Sequence, residues 1–311
     1  MIPDRSLGIG ELSRLTGVPV RTIRFYCDEG VLTVRRSSGG HRRFDPDAVE
    51  RLRLVRRLRG LGLGLSAIAN VLTGERSLDE AISAERAALD VELASLAWRR
   101  ASLRAVEEAS PTERAARLEL LAHAQGPAAR DVIVDFWVRM VRAYVNPEIM
   151  EGLVQLAVPG TPADPTPEQV VAFAEMVVIA HSHPFGNARR VRERINQAEI
   201  SDEGTLMLGV GEAYNLTVPA LLAGEQPQPG PALDRFVEAH AHVRGDRKDT
   251  LEFRHYLHRE LLLDHDPRID RYWELFTEVT GTFATFGRSH RWLLDALGHN
   301  ARGHSGAEDG I

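Results

Sequence analysis

Residues 9–32 read IGELSRLTGVPVRTIRFYCDEGVL, and this stretch decides the fold of the front of the chain. Ile9 to Thr16 is one amphipathic helical pattern with Ile9, Leu12 and Leu15 on a shared face. Gly17 supplies a tight turn, and Val20 to Gly30 reads as a second helix that Gly30 stops. Two short helices joined this way make a helix-turn-helix pattern. On the second helix Ile23 faces the core, while Arg21, Thr22, Arg24 and Tyr26 are read as pointing outward. Arginines and hydroxyls suit phosphate and base-edge contacts in a DNA major groove.

The next stretch, VLTVRRSSGGHRRF at 31–44, holds two short extended pieces around a Ser-Ser-Gly-Gly turn, a hairpin signal. Arg35, Arg36, Arg42 and Arg43 cluster around that turn and form a candidate phosphate clamp. The alternative is a solvated loop; the helix-turn-helix directly before it favours the clamp. Asp45 and Pro46 are expected to open a third helix as N-cap and first helical residue, with Val49, Leu52, Val55 and Leu58 inward. The run LGLGLS at 61–66 breaks it, and Ser66 is expected to cap a fourth helix that runs through Leu72.

Together the segments 9–32, RRSSGGHRRF at 35–44 and LRGLGLGLSAIANVL at 58–72 closely resemble the DNA-binding domain of the MerR family of bacterial transcription regulators. That resemblance implies a winged helix-turn-helix with Val20 to Glu29 as recognition helix and a wing presenting Arg36, Gly40, His41, Arg42 and Arg43. It also implies a palindromic operator on double-stranded DNA, bound between promoter elements of poor spacing. In the family picture the effector-bound dimer untwists and bends the DNA so that RNA polymerase can engage. Two positions depart from the pattern: His41 stands where tyrosine is frequent, and Cys27 where a charged or polar residue is usual. Cys27 is the single cysteine of the chain, so an intramolecular disulfide or a zinc site of several thiolates is impossible. Oxidation at Cys27 would block the recognition helix; inert packing is the favoured reading of a lone, partly buried thiol.

Charge follows the same division. Residues 1–76 hold 14 Arg against 8 acids, net +6, whereas residues 77–311 hold 24 basic and 36 acidic groups, net −12. A basic front on an acidic body suggests that only the front meets a polyanion. With 43% apolar and 26% charged residues, the 311-residue chain reads as soluble and globular, long enough for two domains. No uninterrupted apolar run approaches the ~20 residues that span a bilayer. The start, Met1-Ile2-Pro3-Asp4-Arg5, lacks the apolar core of a signal peptide. A cytoplasmic location without membrane association is therefore expected.

Ile82, Leu89, Leu96 and Leu103 recur every seven residues, with Leu78 and Val106 on the adjacent seam. This is a coiled-coil stripe over residues 77–109, interrupted at Glu85, Glu92 and Arg99. Residues 79–92 carry five acids and one Arg, and residues 99–104 carry Arg99, Arg100 and Arg104. An antiparallel pair sets acid against Arg, so an antiparallel homodimer is expected. The stripe also resembles the family's dimerisation helix in its position. The alternative is an amphipathic helix on its own domain's core. A two-fold dimer would read two half-sites of a palindrome.

Ser110-Pro111, PGTPADPTP at 159–167, GEQPQPGP at 224–231 and the Gly-rich tail from Gly298 mark breaks. Between them, apolar spacing predicts helices at 112–124, 133–144, 147–157, 170–180, 186–200, 204–222, 231–243, 248–264 and 268–296. The expected class is mainly α. Residues 1–76 form the winged helix-turn-helix, 77–110 the dimerisation helix, 111–297 an all-helical effector domain and 298–311 a flexible tail. The family's metal sensors have a short cysteine-bearing region here; this chain has about 200 residues and no cysteine in it. A small organic effector fits better, with Trp137, Tyr144, Phe173, Tyr214 and Trp273 as candidate ligand-lining residues; core packing is the alternative. Glu175 and Glu212 sit within apolar helices, where each is a carboxylate for a cationic ligand or a solvated surface group. His181/His183, His240/His242 and His255/His258 are close pairs. Residues two apart on a helix point to different faces, so scattered histidines are favoured over a metal site. No metal and no cofactor is expected. The chain lacks a P-loop, a nucleophile elbow, an HExxH and a dinucleotide fingerprint, so an enzyme is not expected. A DNA-bound regulator whose C-terminal domain docks a protein partner and binds no small molecule stands as the alternative function.

Overall fold

Gly17 adopts the left-handed conformation (φ 69°) that lets α1 (Ile9–Thr16) turn sharply into α2 (Val20–Asp28). Its amide donates to Ser13 O, and Arg56 donates to Thr16 O at 2.8 Å, so the last turn of α1 keeps its carbonyls satisfied. The computed structural model describes residues 6–36, 40–124, 127–141, 147–182, 199–245, 247–263 and 265–302. The chain divides into two units, Met1–Ser95 and Leu96–Ile311.

In the first unit a three-stranded antiparallel sheet runs in the order β1 (Leu7–Gly8), β3 (Arg42–Phe44), β2 (Arg35–Arg36). Leu7 pairs with Phe44, and Arg36 with Arg42. Helices α3 (Ala48–Gly60) and α4 (Leu65–Thr73) follow. Leu12, Ile23, Phe44, Leu52, Val55 and Ile68 meet in one buried core.

Four details differ from the sequence expectation here. Tyr26 is buried in this core, and it is Phe25, 47% exposed, that points outward. Leu15 is half exposed rather than part of the α1 core face. Asp45 and Pro46 form a turn, with Ala48 N donating to Asp45 O, and α3 begins only after Asp47. Gly64, not Ser66, occupies the N-cap of α4, without a side-chain cap.

Helix α5 (Leu78–Glu107) spans the division between the units. Ser77 and Glu80 form a reciprocal capping box: Ser77 N donates to Glu80 Oε2, and Glu80 N to Ser77 Oγ.

The second unit is all-helical over its described residues. Helices α6 (Arg114–Ala122), α7 (Pro127–Val141), α8 (Pro147–Ala157), α9 (Pro167–Ser182) and α13 (Pro267–Thr280) share one core with the C-terminal half of α5. Helices α10 (Glu203–Ala223), α11 (Pro231–His242), α12 (Leu251–Leu263) and α14 (Phe286–Arg302) build a second core around Leu233, Phe236, Leu257 and Leu293. Thr166 and Gln169 cap α9 reciprocally, and Gln169 Nε2 reaches Val279 O to tie α9 to the end of α13.

The expected helix over 268–296 is two helices. Gly281 (φ 71°) ends α13, and α14 restarts at Phe286. Helix α14 also carries the chain to Arg302, beyond the expected start of a flexible tail at Gly298. Most of the expected helix over 186–200 lies outside the described residues. Helix α10, at 21 residues, is long and apolar enough by composition to cross a bilayer, although no uninterrupted apolar run in it is that long. One edge of α10 packs on α11 so closely that a Cβ at Gly209 would sit 2.6 Å from Ala239 Cβ.

Candidate nucleic-acid interface

Helix α2 leaves its core side at Ile23 and Tyr26 and turns the rest of its surface outward. Arg21, Arg24 and Phe25 are exposed, and Thr22 is half-buried. The wing pairs β2 with β3 next to it. A hollow of about 640 Å³ opens between the two, lined by Arg24, by Gly8 and Ile9, and by residues 40–43.

Ion pairing divides the arginines into two groups. Arg42 is tied to Asp28 at 3.0 Å and Arg35 to Asp45 at 3.4 Å. Arg43 donates to Ser6 O, and Arg56 and Arg59 to backbone carbonyls. These bonds hold the wing and the turns in place; a guanidinium carries five N–H donors, so Arg43 keeps others for phosphate after its one bond to Ser6 O. Arg21, Arg24 and Arg36 make no ion pair among the described residues and extend from α2 and the wing. A cation without a protein partner on a rigid element is what a phosphate contact requires. His41 is exposed on the same rim. Burial raises the Cys27 thiol above its ordinary value; Arg42 opposes this and Asp28 adds to it. The thiol therefore stays protonated at neutral pH.

On α5, Leu78, Ile82, Leu89, Leu93, Leu96 and Leu103 fall within an arc of roughly 80° at 100° per residue. Leu89, Leu96 and Leu103 are 46%, 54% and 64% exposed. Trp98, Ala101 and Ala105 lie on the opposite side of the helix and enter the core of the second unit. The heptad leucines therefore do not cover their own domain. Leu93 belongs to the same stripe but falls outside the seven-residue repeat, so the repeat alone does not reveal it.

The candidate ligand residues separate. Trp137 and Trp273 meet with ring centroids 5.3 Å apart, and Tyr272 packs edge-on to Trp137. Trp137 Nε1 is buried without an acceptor in hydrogen-bond geometry. Burial raises the Tyr272 hydroxyl far above its ordinary value, and Trp137 partly opposes this; the hydroxyl donates to Ala157 O. Phe173 is buried edge-on to Trp98 in the same core. Tyr214 belongs to the other core, where its hydroxyl lies 2.9 Å from His290 Nδ1. Tyr144 lies outside the described residues. Glu175 pairs with Arg271, and Glu212 with Arg235, so both are surface carboxylates. His240 is buried against Arg244, with Nη1 of the arginine 2.8 Å from His240 Nδ1. Sequence reading gave no role to His290, which shares that interior; only its place on the apolar face of α14 could have marked it.

Comparison with known proteins bears on the front of the chain. Residues 7–75 match the family described as MerR HTH family regulatory protein. The nodulation protein NolA of Bradyrhizobium elkanii is 41% identical over 91 residues, 28% of this chain and 42% of that protein. NolA of Bradyrhizobium sp. (strain NC92) is 36% identical over 97 residues, 31% of this chain and 41% of its own length. The HTH-type transcriptional regulator HmrR of Rhizobium leguminosarum bv. viciae is 35% identical over 75 residues, 24% of this chain and 58% of that regulator. This chain thus spans less than half of the nodulation relatives it matches. The buried Leu12–Ile23–Leu52 core, the left-handed Gly17 turn and the three-stranded wing all lie within the matched segment. Residues 7–75 are a MerR-family helix-turn-helix domain.

Proposed function

We propose that the chain is a homodimeric transcription regulator of the cytoplasm, not an enzyme, that binds a palindromic promoter operator on double-stranded DNA. The observation that carries this reading is the row of unpaired cations Arg21, Arg24 and Arg36, spread over α2 and the wing of a MerR-type domain. Arg21 and Thr22 sit near the start of the recognition helix and read base edges. Arg24, Arg36, His41 and Arg43 take phosphates. Asp28 engages Arg42 and so presents the wing at a fixed angle.

Two copies pair through the exposed leucine stripe of α5, antiparallel, with the acidic first half of one helix against Arg99, Arg100 and Arg104 of the other. The two domains then face half-sites one helical turn apart. The helical domain over 111–297 takes an organic effector against Trp137 and Trp273, whose ring centroids lie 5.3 Å apart. Effector binding changes the bend of the bound DNA and so the engagement of RNA polymerase.

Fluorescence anisotropy with a duplex carrying the palindrome near the protein's own promoter tests the DNA reading. Affinity should fall with salt by about one counterion per phosphate contact. Arg24→Ala should weaken binding to every sequence, and Arg21→Ala should relax base preference. Salt-insensitive binding, or full binding by a chain lacking residues 1–75, would overturn it.

A further inference from the structure

A second hollow, of about 710 Å³, opens along α12 and the residues just before it, lined by side chains from Arg247 to Arg259. Arg247, Lys248 and Arg259 line it, and none of the three makes an ion pair among the described residues. Arg254, on the same helix, is by contrast neutralised by Asp234 and Asp249, both at hydrogen-bond distance. Phe253 and Tyr256 form the apolar side. The Arg247 guanidinium lies 5.0 Å from the Tyr256 ring centroid and 5.9 Å from that of Phe253. Tyr256 is fixed in turn by a 2.6 Å hydrogen bond to Glu199.

A guanidinium stacked on a ring keeps its N–H edge free for a planar, bidentate partner. Lys248 and Arg259 add two point charges, and the N-terminus of α12 adds its positive dipole end. Glu252 on the same rim offsets one of these charges. The surrounding chain, residues 77–311, is net −12, so three cations around one hollow, without an ion pair among the described residues, are a local inversion of sign. That inversion also selects the size of the ligand. A long polyanion would feel the whole acidic unit. A compact anion is screened from it beyond about 8–10 Å and feels only the rim. The volume lies within the roughly 300–1,000 Å³ of small-molecule sites. We infer that this hollow binds a compact polyphosphate-bearing small molecule, separate from the DNA face and from the Trp137–Trp273 cluster.

The test is calorimetric titration of the full-length protein with inorganic tripolyphosphate at about 0.15 M salt, where surface attraction beyond ~8 Å is screened. The expected result is saturable binding, at one site per chain, that Lys248→Glu and Arg259→Glu each weaken by about tenfold or more. Both side chains are solvent-facing, so circular dichroism and melting temperature should be unchanged. Hydrogen exchange should slow in residues 247–259. The site should persist in the Arg24→Ala/Arg43→Ala double variant, which separates it from phosphate capture by the DNA face. Binding indifferent to Lys248→Glu and Arg259→Glu, or abolished by the front-end double variant, would overturn the inference. So would protection of residues 247–259 by a single-stranded oligonucleotide but not by tripolyphosphate.

Discussion

Asp28 on the recognition helix accepts a hydrogen bond from Arg42 on the wing at 3.0 Å. The acid sits at the end of α2, on the side that faces DNA in the proposed complex, where a carboxylate repels phosphate. Its contribution is positional: it fixes Arg42, which pairs across the sheet with Arg36. An ion pair this exposed adds at most about 1 kcal/mol to stability. Asp28→Asn should therefore leave the melting temperature nearly unchanged while releasing Arg42 toward phosphate. Affinity for random-sequence duplex should rise, and the log–log salt slope should steepen by about 0.9, one counterion. Anisotropy titrations at several salt concentrations read this directly; an unchanged slope with Asp28→Asn would show that Arg42 contacts phosphate with the pair intact.

How far the sequence reveals this architecture depends on the length of the signal. The helix-turn-helix is legible because Leu12, Gly17 and Ile23 each do one job that spacing makes visible. Phe25 and Tyr26 are adjacent aromatics, and period alone does not say which one faces in; the backbone carbonyl of Tyr26 also accepts from Val31 and Leu32, which draws that residue under the next turn. Strand β1 is two residues long and has no period to read. The break at Gly281 was hidden by apolar spacing that continues through Phe283 and Phe286. The aromatic candidates could be named but not grouped. Whether Trp137 meets Trp273 or Tyr214 depends on which helices pack, and contacts some 140 residues apart leave no trace in local spacing.

In the proposed homodimer the exposed face of α5 is the interface. Burying each of Leu89, Leu96 and Leu103 stabilises a dimer by roughly 1.5–3 kcal/mol, and a carboxylate in that seam is strongly opposed. Leu96→Glu should give monomers by sedimentation that no longer bind the operator. The helix should persist, because Trp98, Ala101 and Ala105 still anchor its other side. A Leu96→Glu protein that sediments as a dimer would place the interface elsewhere.

Close approach at Gly287 gives a sharper stability test. A Cβ there would lie 2.0 Å from Trp273 Cδ1, which no side-chain adjustment short of moving the indole relieves. Gly287→Ala should lower stability by about 1–3 kcal/mol through overpacking and disturb the Trp137–Trp273 contact. At Gly211 on α10 an added methyl group would meet nothing within 4 Å, so Gly211→Ala should instead raise stability by about 0.5–1 kcal/mol. Thermal melts of the two variants should move in opposite directions. A Gly287→Ala protein as stable as the parent would show that the indole can swing away.

The interior of the α10–α14 core predicts acid sensitivity. His290 lies in that interior beside Tyr214 and Phe236, and burial depresses its pKa from 6.5 to about 4, with His265 and Arg291 adding unfavourable charge. His240 is lowered in the same direction, first by burial and then by Arg244 and His290. The unfolded chain therefore binds more protons than the native one between pH 6.5 and 4, and stability rises with pH across that window. The contribution is fully present above pH 6.5 and is lost as the pH falls toward 4. A shift from 6.5 to about 4 corresponds to about 3 kcal/mol for His290 alone. Most carboxylates titrate below this range, so the interval from pH 6.5 to 5 isolates the histidines. Calorimetric melting temperatures should fall through it for the wild-type protein and fall less for His290→Gln, whose side chain keeps a partner for the Tyr214 hydroxyl but cannot be protonated. Equal pH slopes for wild type and His290→Gln would mean that the buried imidazole gains its proton without unfolding the core.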